Sequence, residues 1–291
     1  MNKNKRIVAL VMSFLATATL TGCAEIKTDG GDVEENTEIN APVLPPEEIE
    51  IQPPEIQAPE EEPPAEEPPQ EEIPAVVPKV KTVTYVSVTG DKVNMRSGGG
   101  TGYAAYGSVD KSTMYAYDGE ANGWFKTKFK NKTAYLSSNY CNLVEMTASE
   151  DERIEAVIAE GTKLLGTVYV YGAIRYHDGN GNRLKNFSIE EFDCSSLMQY
   201  IFSKGAGVNL QLTTRTQIYQ GKTVKKSELK RGDLMFFTNA SRKDKVGIER
   251  VGHVALYLGD NLILHTASDY AKIEQISPTR WSYFIQAQRI F

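Results

Sequence analysis

Two stretches of the chain space their apolar residues at the helical period, and most other apolar positions fall in short runs broken by turn residues. The first stretch is Phe192 to Phe202, with Cys194, Leu197 and Ile201 on one face, Asp193 suited to the N-cap and Gly205 to the stop. The second is Glu150 to Leu165, periodic through Ile154, Val157, Ile158, Leu164 and Leu165, with Gly166 ending it. Between 80 and 146 no helical period appears. The runs Val83–Val88, Val93–Arg96, Thr113–Tyr117, Trp124–Lys128 and Thr133–Leu136, separated by Gly, Asn and Asp, predict a small β-barrel. Val251–Leu258 and Leu262–Ala267 flank Gly259-Asp260-Asn261, which predicts a β-hairpin with a three-residue loop. The fold class is therefore α+β, a Cys-bearing helix packed on an antiparallel sheet behind a small barrel.

This pattern brings reactive groups together. Cys194 stands in the first turn of its helix, where unpaired N–H groups and the macrodipole favour a thiolate. Across the hairpin, an odd loop length puts positions 253 and 265 on the same sheet face, with His265 opposite Ala255 and diagonal to His253. Two of the chain's three histidines thereby share one patch. A thiolate needs an imidazole to exchange its proton, and the imidazole needs a third group to fix its tautomer.

Asp193-Cys194-Ser195-Ser196-Leu197, Arg231-Gly232-Asp233-Leu234, Gly252-His253-Val254-Ala255-Leu256-Tyr257-Leu258-Gly259, then His265, resemble the successive signatures of NlpC-type papain-like cell-wall peptidases. Tyr169-Val170-Tyr171-Gly172-Ala173 is similar to that family's segment before the nucleophile. The resemblance implies a papain-like catalytic domain over 147–291, with Cys194 as nucleophile, His253 as general base, His265 orienting it and Tyr169 beside the oxyanion site. It also implies that Asp193, with Ser195 nearby, receives a substrate amine; Ser196 departs from the family's usual glycine. The implied substrate is the peptidoglycan stem peptide, cut between D-glutamate and the following diamino acid. An amidase or acyltransferase on the same thiol scaffold, or a non-catalytic wall-binding lipoprotein, are the alternatives. Val93 to Gly98, Asn122 to Lys126 and Lys132 to Leu136 resemble bacterial SH3-like domains, placing one over 80–146, with Gly99-Gly100 where that family usually has proline. Tyr103, Tyr106 and Trp124 are read there as barrel core ahead of a ligand shelf.

Composition then divides the N-terminal third. Residues 1–23 carry Lys3, Lys5 and Arg6, an apolar run and Leu20-Thr21-Gly22-Cys23, a signal peptide whose end resembles a lipobox. That implies lipidation of Cys23 and an extracytoplasmic, membrane-anchored protein. Residues 24–79 hold twelve of the thirteen prolines and seventeen acidic residues against two lysines, too polar and too charged for a core; they are expected to be a disordered stalk. Although the whole chain is −6, residues 80–291 carry 27 Lys and Arg against 21 Asp and Glu, with no basic stripe of the kind that binds nucleic acid. A Cys141–Cys194 disulfide would consume the nucleophile and have to bridge two domains. Zinc on Cys194, His253 and His265 lacks a local chelating pair. Asp178, Asn180 and Asn182 mimic a calcium loop, but Arg183 and Ile189 stand where glycine and the bidentate carboxylate belong. No metal and no other cofactor is expected, and the protein is expected to be monomeric. Residues 174–191 are expected to line the substrate groove, with His177 in solvent; Arg215 in Thr213–Gln217 is similar to a polar segment of the family, with a surface role as the alternative.

Overall fold

The computed structural model describes residues 80–291; the expected signal peptide, lipidated Cys23 and stalk lie outside the described residues. The described residues begin with eight strands: β1 Thr82–Val88, β2 Val93–Arg96, β3 Ala105–Val109, β4 Met114–Ala116, β5 Glu120–Ala121, β6 Trp124–Phe129, β7 Lys132–Ser137 and β8 Cys141–Thr147. Helix α1 (Glu152–Lys163) follows, then short strands β9 (Val168–Tyr169) and β10 (Glu191–Phe192), helix α2 (Cys194–Ala206) and helix α3 (Thr214–Gln217). The C-terminal part comprises β11 Lys222–Val224, β12 Leu234–Phe237, β13 His253–Gly259, β14 Leu262–Ala267, β15 Tyr270–Gln275, α4 Pro278–Ser282 and β16 Phe284–Arg289. The architecture is α+β, largely antiparallel, as expected.

Of the first eight strands, β3, β5 and β8 carry little pattern in the sequence. β3 is interrupted by Gly107, and β8 is exposed at five of its seven positions, so neither shows clean alternation. Five strands form one sheet in the order β3-β2-β7-β6-β5, while β1, β4 and β8 join the other, whose order is β11-β16-β12-β13-β14-β15-β4-β1-β8. The join is Ile273 of β15 against Met114 of β4. Around it the Tyr270 hydroxyl donates to Asp110 at 2.8 Å, and a Cβ on Gly166 would strike the Phe129 ring at 2.1 Å, so glycine there permits the close approach.

Helices α1 and α2 pack together over one face of the long sheet. Asp193 caps α2, and the helix ends at Gly207, φ +67°, one turn past the expected Ile-Phe run and two residues beyond Gly205. Gly205 serves packing instead: a Cβ there would lie 2.6 Å from the backbone of Val157 on α1. Leu197, Ile201 and Phe202 of α2 are fully buried with Val254, Leu256 and Leu264 of the sheet. Met235, Phe237, Ala255 and Ile263 form a second core on the opposite face. Among the described residues no helix is long and apolar enough to cross a membrane.

Candidate active site

Asp193 adopts extended backbone at the N-cap, and its carboxylate accepts from the Ser196 N–H at 2.8 Å while the Ser196 hydroxyl accepts from the Asp193 N–H at 2.9 Å. This capping box fixes the first turn, and with it Cys194, whose backbone N–H points out of the helix end. Cys194 is 7% exposed and, like Cys141, is a free thiol. Burial pushes its thiol up to about 12, the Asp193 charge adds to the rise, and the N–H groups of Val254 and Ser195 oppose it. At this helix terminus desolvation opposes the thiolate that the N–H groups and the macrodipole favour.

The hairpin reaches the expected parity by another route. Asp260 and Asn261 form a two-residue turn, φ +48° and +62°, which alone would put the two histidines on opposite faces. A bulge between Tyr257 and Gly259 shifts the register by one residue, so Tyr257 faces Ile263 and Leu256 faces Leu264. Continued by one position, that register sets His265 opposite Ala255, on the face of the Phe237 and Ile263 core. His253 Nε2 and His265 Nδ1 are 3.1 Å apart, with the rings edge to face.

Sequence reasoning missed what lies behind them. His265 Nε2 is 2.9 Å from Glu274 Oε1, which also accepts from Arg280 Nη2 at 3.2 Å. β15 pairs Lys272 with His265, so Glu274 shares the histidines' face; the alternation in Tyr270–Gln275 was the available signal. Burial would raise the Glu274 carboxyl, but His265, Lys272 and Arg280 hold it down at about 2. Both imidazoles are pushed down by burial, His253 well below 6.5 and further by His265 and Arg280. Burial thus works against the charged form of both the thiol and the imidazole.

Two clefts meet at the sulfur. One, about 290 Å³, is lined by Tyr169, Cys194, His253, Ser268, Arg280 and Tyr283 among others. The other, about 160 Å³, includes Tyr169, Arg175, Asp193, Cys194, Ser195 and Arg215. Arg215, whose side chain is partly exposed, lines this cleft and donates to Glu249 at 2.6 Å. Arg175 pairs with Asp193 at 2.9 Å. Of 174–191, only Arg175 reaches either cleft; the rest turns away, with Tyr176 and Phe187 packing on Tyr200 of α2. His177 is not in solvent but fully buried, its Nδ1 accepting from the Gly179 N–H at 3.0 Å. Asp178 accepts from the Asn180 and Asn182 N–H groups, a self-contained turn. Among the described residues no group of three His, Cys, Asp or Glu is arranged to hold a metal. A larger cleft, about 710 Å³, lies on the N-terminal strands between Asn94, Trp124 and Tyr140. Tyr103 is 55% exposed and Trp124 half-buried, so neither is the core residue expected.

Residues 166–289 match the NlpC/P60 family. The chain carries an NlpC/P60 domain. Over 147 residues it is 30% identical to peptidoglycan DL-endopeptidase CwlO of Bacillus licheniformis, covering 50% of this chain and 29% of that protein. Gamma-DL-glutamyl hydrolase of Bacillus subtilis is 27% identical, covering 58% of this chain and 38% of that one. A probable endopeptidase NlpC homolog of Haemophilus influenzae is 32% identical, covering 45% and 63%. The chain thus spans under two thirds of each of these relatives.

Proposed function

We propose that the protein is a cysteine endopeptidase of papain-like fold that cuts peptidoglycan stem peptides between D-glutamate and the following diamino acid. One observation carries this reading: His253, hydrogen-bonded to the buried His265 at 3.1 Å, lines the same cleft as Cys194. With Nε2 engaged by His265, Nδ1 of His253 is the nitrogen left to take the thiol proton. The sulfur attacks the scissile carbonyl as that proton moves, and the oxyanion is met by the Cys194 N–H with Tyr169 beside it. His253 returns the proton to the departing amine, leaving a thioester that water hydrolyses. His265, backed by Glu274, orients the base and stabilises its charged form. The relatives named as acting on peptidoglycan or gamma-glutamyl bonds support the substrate. In this reading an SH3-like module at 80–146 engages the wall, while Cys23 and the stalk tether the enzyme outside the membrane.

Mass spectrometry of purified wall digested with the full chain tests this. Fragments with a new N-terminal diamino acid are expected, and Cys194→Ala and His253→Ala should each abolish them while leaving the melting temperature near wild type. Peptides released with N-terminal alanine would mean an amidase; identical digests from wild type and Cys194→Ala would end both enzymatic readings.

A further inference from the structure

The cleft that holds Asp193 has its carboxylate already occupied. Oδ1 accepts from the Ser196 N–H at 2.8 Å and the Ser195 hydroxyl at 2.9 Å; Oδ2 meets the Gly172 N–H at 3.2 Å and Arg175 Nη1 at 2.9 Å. Four donors fill the positions that two carboxylate oxygens offer. Arg175 is itself clamped, donating to the Leu212 carbonyl at 2.6 Å, to the Ala173 carbonyl and to the Ser195 hydroxyl at 3.2 Å, and its side chain is 16% exposed. The remaining charges do not compensate: Arg215 and Arg242 share one carboxylate, Glu249, at 2.6 and 3.1 Å. Three guanidinium groups thus stand against two carboxylates at this end of the groove.

The two clefts are not equivalent in the reaction. The departing amine takes its proton from His253, and His253 lines only the larger cleft. The acyl half of the substrate therefore lies in the cleft with Arg175. A free N-terminal ammonium arriving there would meet surplus positive charge and no open acceptor on Asp193.

We infer that Arg175 makes this enzyme select stem peptides whose N-terminal amine is acylated, so that its substrate class is the stem still attached to its glycan strand and not the trimmed free peptide. The inference rests on the endopeptidase reading above and deepens it. It also revises the expectation that Asp193 receives an amine.

The test uses the full chain and two peptides of identical sequence, L-alanyl-γ-D-glutamyl-diamino acid-D-alanine, one with a free amine and one N-acetylated. The acetylated peptide is expected to have at least a tenfold higher kcat/KM. Arg175→Met, which keeps the aliphatic stem and frees Asp193, should cut that ratio by tenfold or more, a change that a merely structural role would not produce. Equal or better cleavage of the free-amine peptide by wild type overturns the inference while leaving the endopeptidase reading intact, and so does an unchanged ratio in a folded Arg175→Met protein. Failure of wild type to cut either peptide removes both. Should Arg175→Met not fold, calorimetric binding of both peptides to Cys194→Ala decides: the acetylated peptide binding at least tenfold tighter upholds the inference, and equal binding sinks it.

Discussion

At the scale of single residues, the chemistry is set by burial. Desolvation raises the Cys194 thiol and lowers both imidazoles, so burial disfavours a standing thiolate–imidazolium pair. Because His253 must be neutral to accept the thiol proton, kcat/KM should stay level down to the ordinary histidine value of 6.5 and fall only below it, which a pH profile will show. His265→Ala should leave partial activity, since it removes an orienting group and not the base. Glu274→Gln keeps the shape but loses the charge behind His265, and should lower kcat on the order of 10- to 100-fold with little change in KM, as removing an outer partner of a reacting group does. Steady-state kinetics separates that pattern from lost binding.

Among the elements, the sequence revealed those whose signal is local. The capped helix of Cys194 is legible because Asp193 and the spacing of Leu197 and Ile201 are determined within one segment. The shared face of His253 and His265 was inferred from an odd loop, whereas the chain uses an even turn and a bulge; parity alone cannot separate the two. Glu274 and Arg175 escaped because they depend on a third strand and on a long loop folding back, contacts made between segments distant in sequence. The misreading of Gly205 has the same cause, since its role is the crossing of two helices. Gly205→Ala should therefore cost about 1–3 kcal/mol through overpacking against Val157, read as a melting temperature lower by several degrees.

On the scale of the whole molecule, Arg231 is the tie between parts. It donates to Glu155 of α1 at 2.6 and 2.9 Å, to the Leu258 carbonyl at 2.8 Å and to the Tyr85 hydroxyl of β1 at 2.8 Å. Arg231→Ala strands the partly buried Glu155 carboxylate and should destabilise the fold by about 3 kcal/mol, the low end for a broken buried pair, measured by denaturant unfolding. Acid sensitivity follows from the same groups. Burial raises Glu155, but Arg231 and the Ser149 N–H draw it below its ordinary 4.5, as their partners do for Glu274. Groups held below their unfolded values bind more protons when unfolded, so stability should decline as pH drops past 6.5 for the histidines and past 4.5 for the carboxylates. The strand pairing of Ile273 with Met114 carries a last consequence. The Trp124 cleft sits on the other, five-stranded sheet, but Tyr115 of β4 packs against Phe129 of β6 with ring centroids 6.2 Å apart, so that cleft and the sulfur cannot swing independently, and a polymer gripped at the first would be presented to the second at one fixed offset, as stock is held against a stop before the blade.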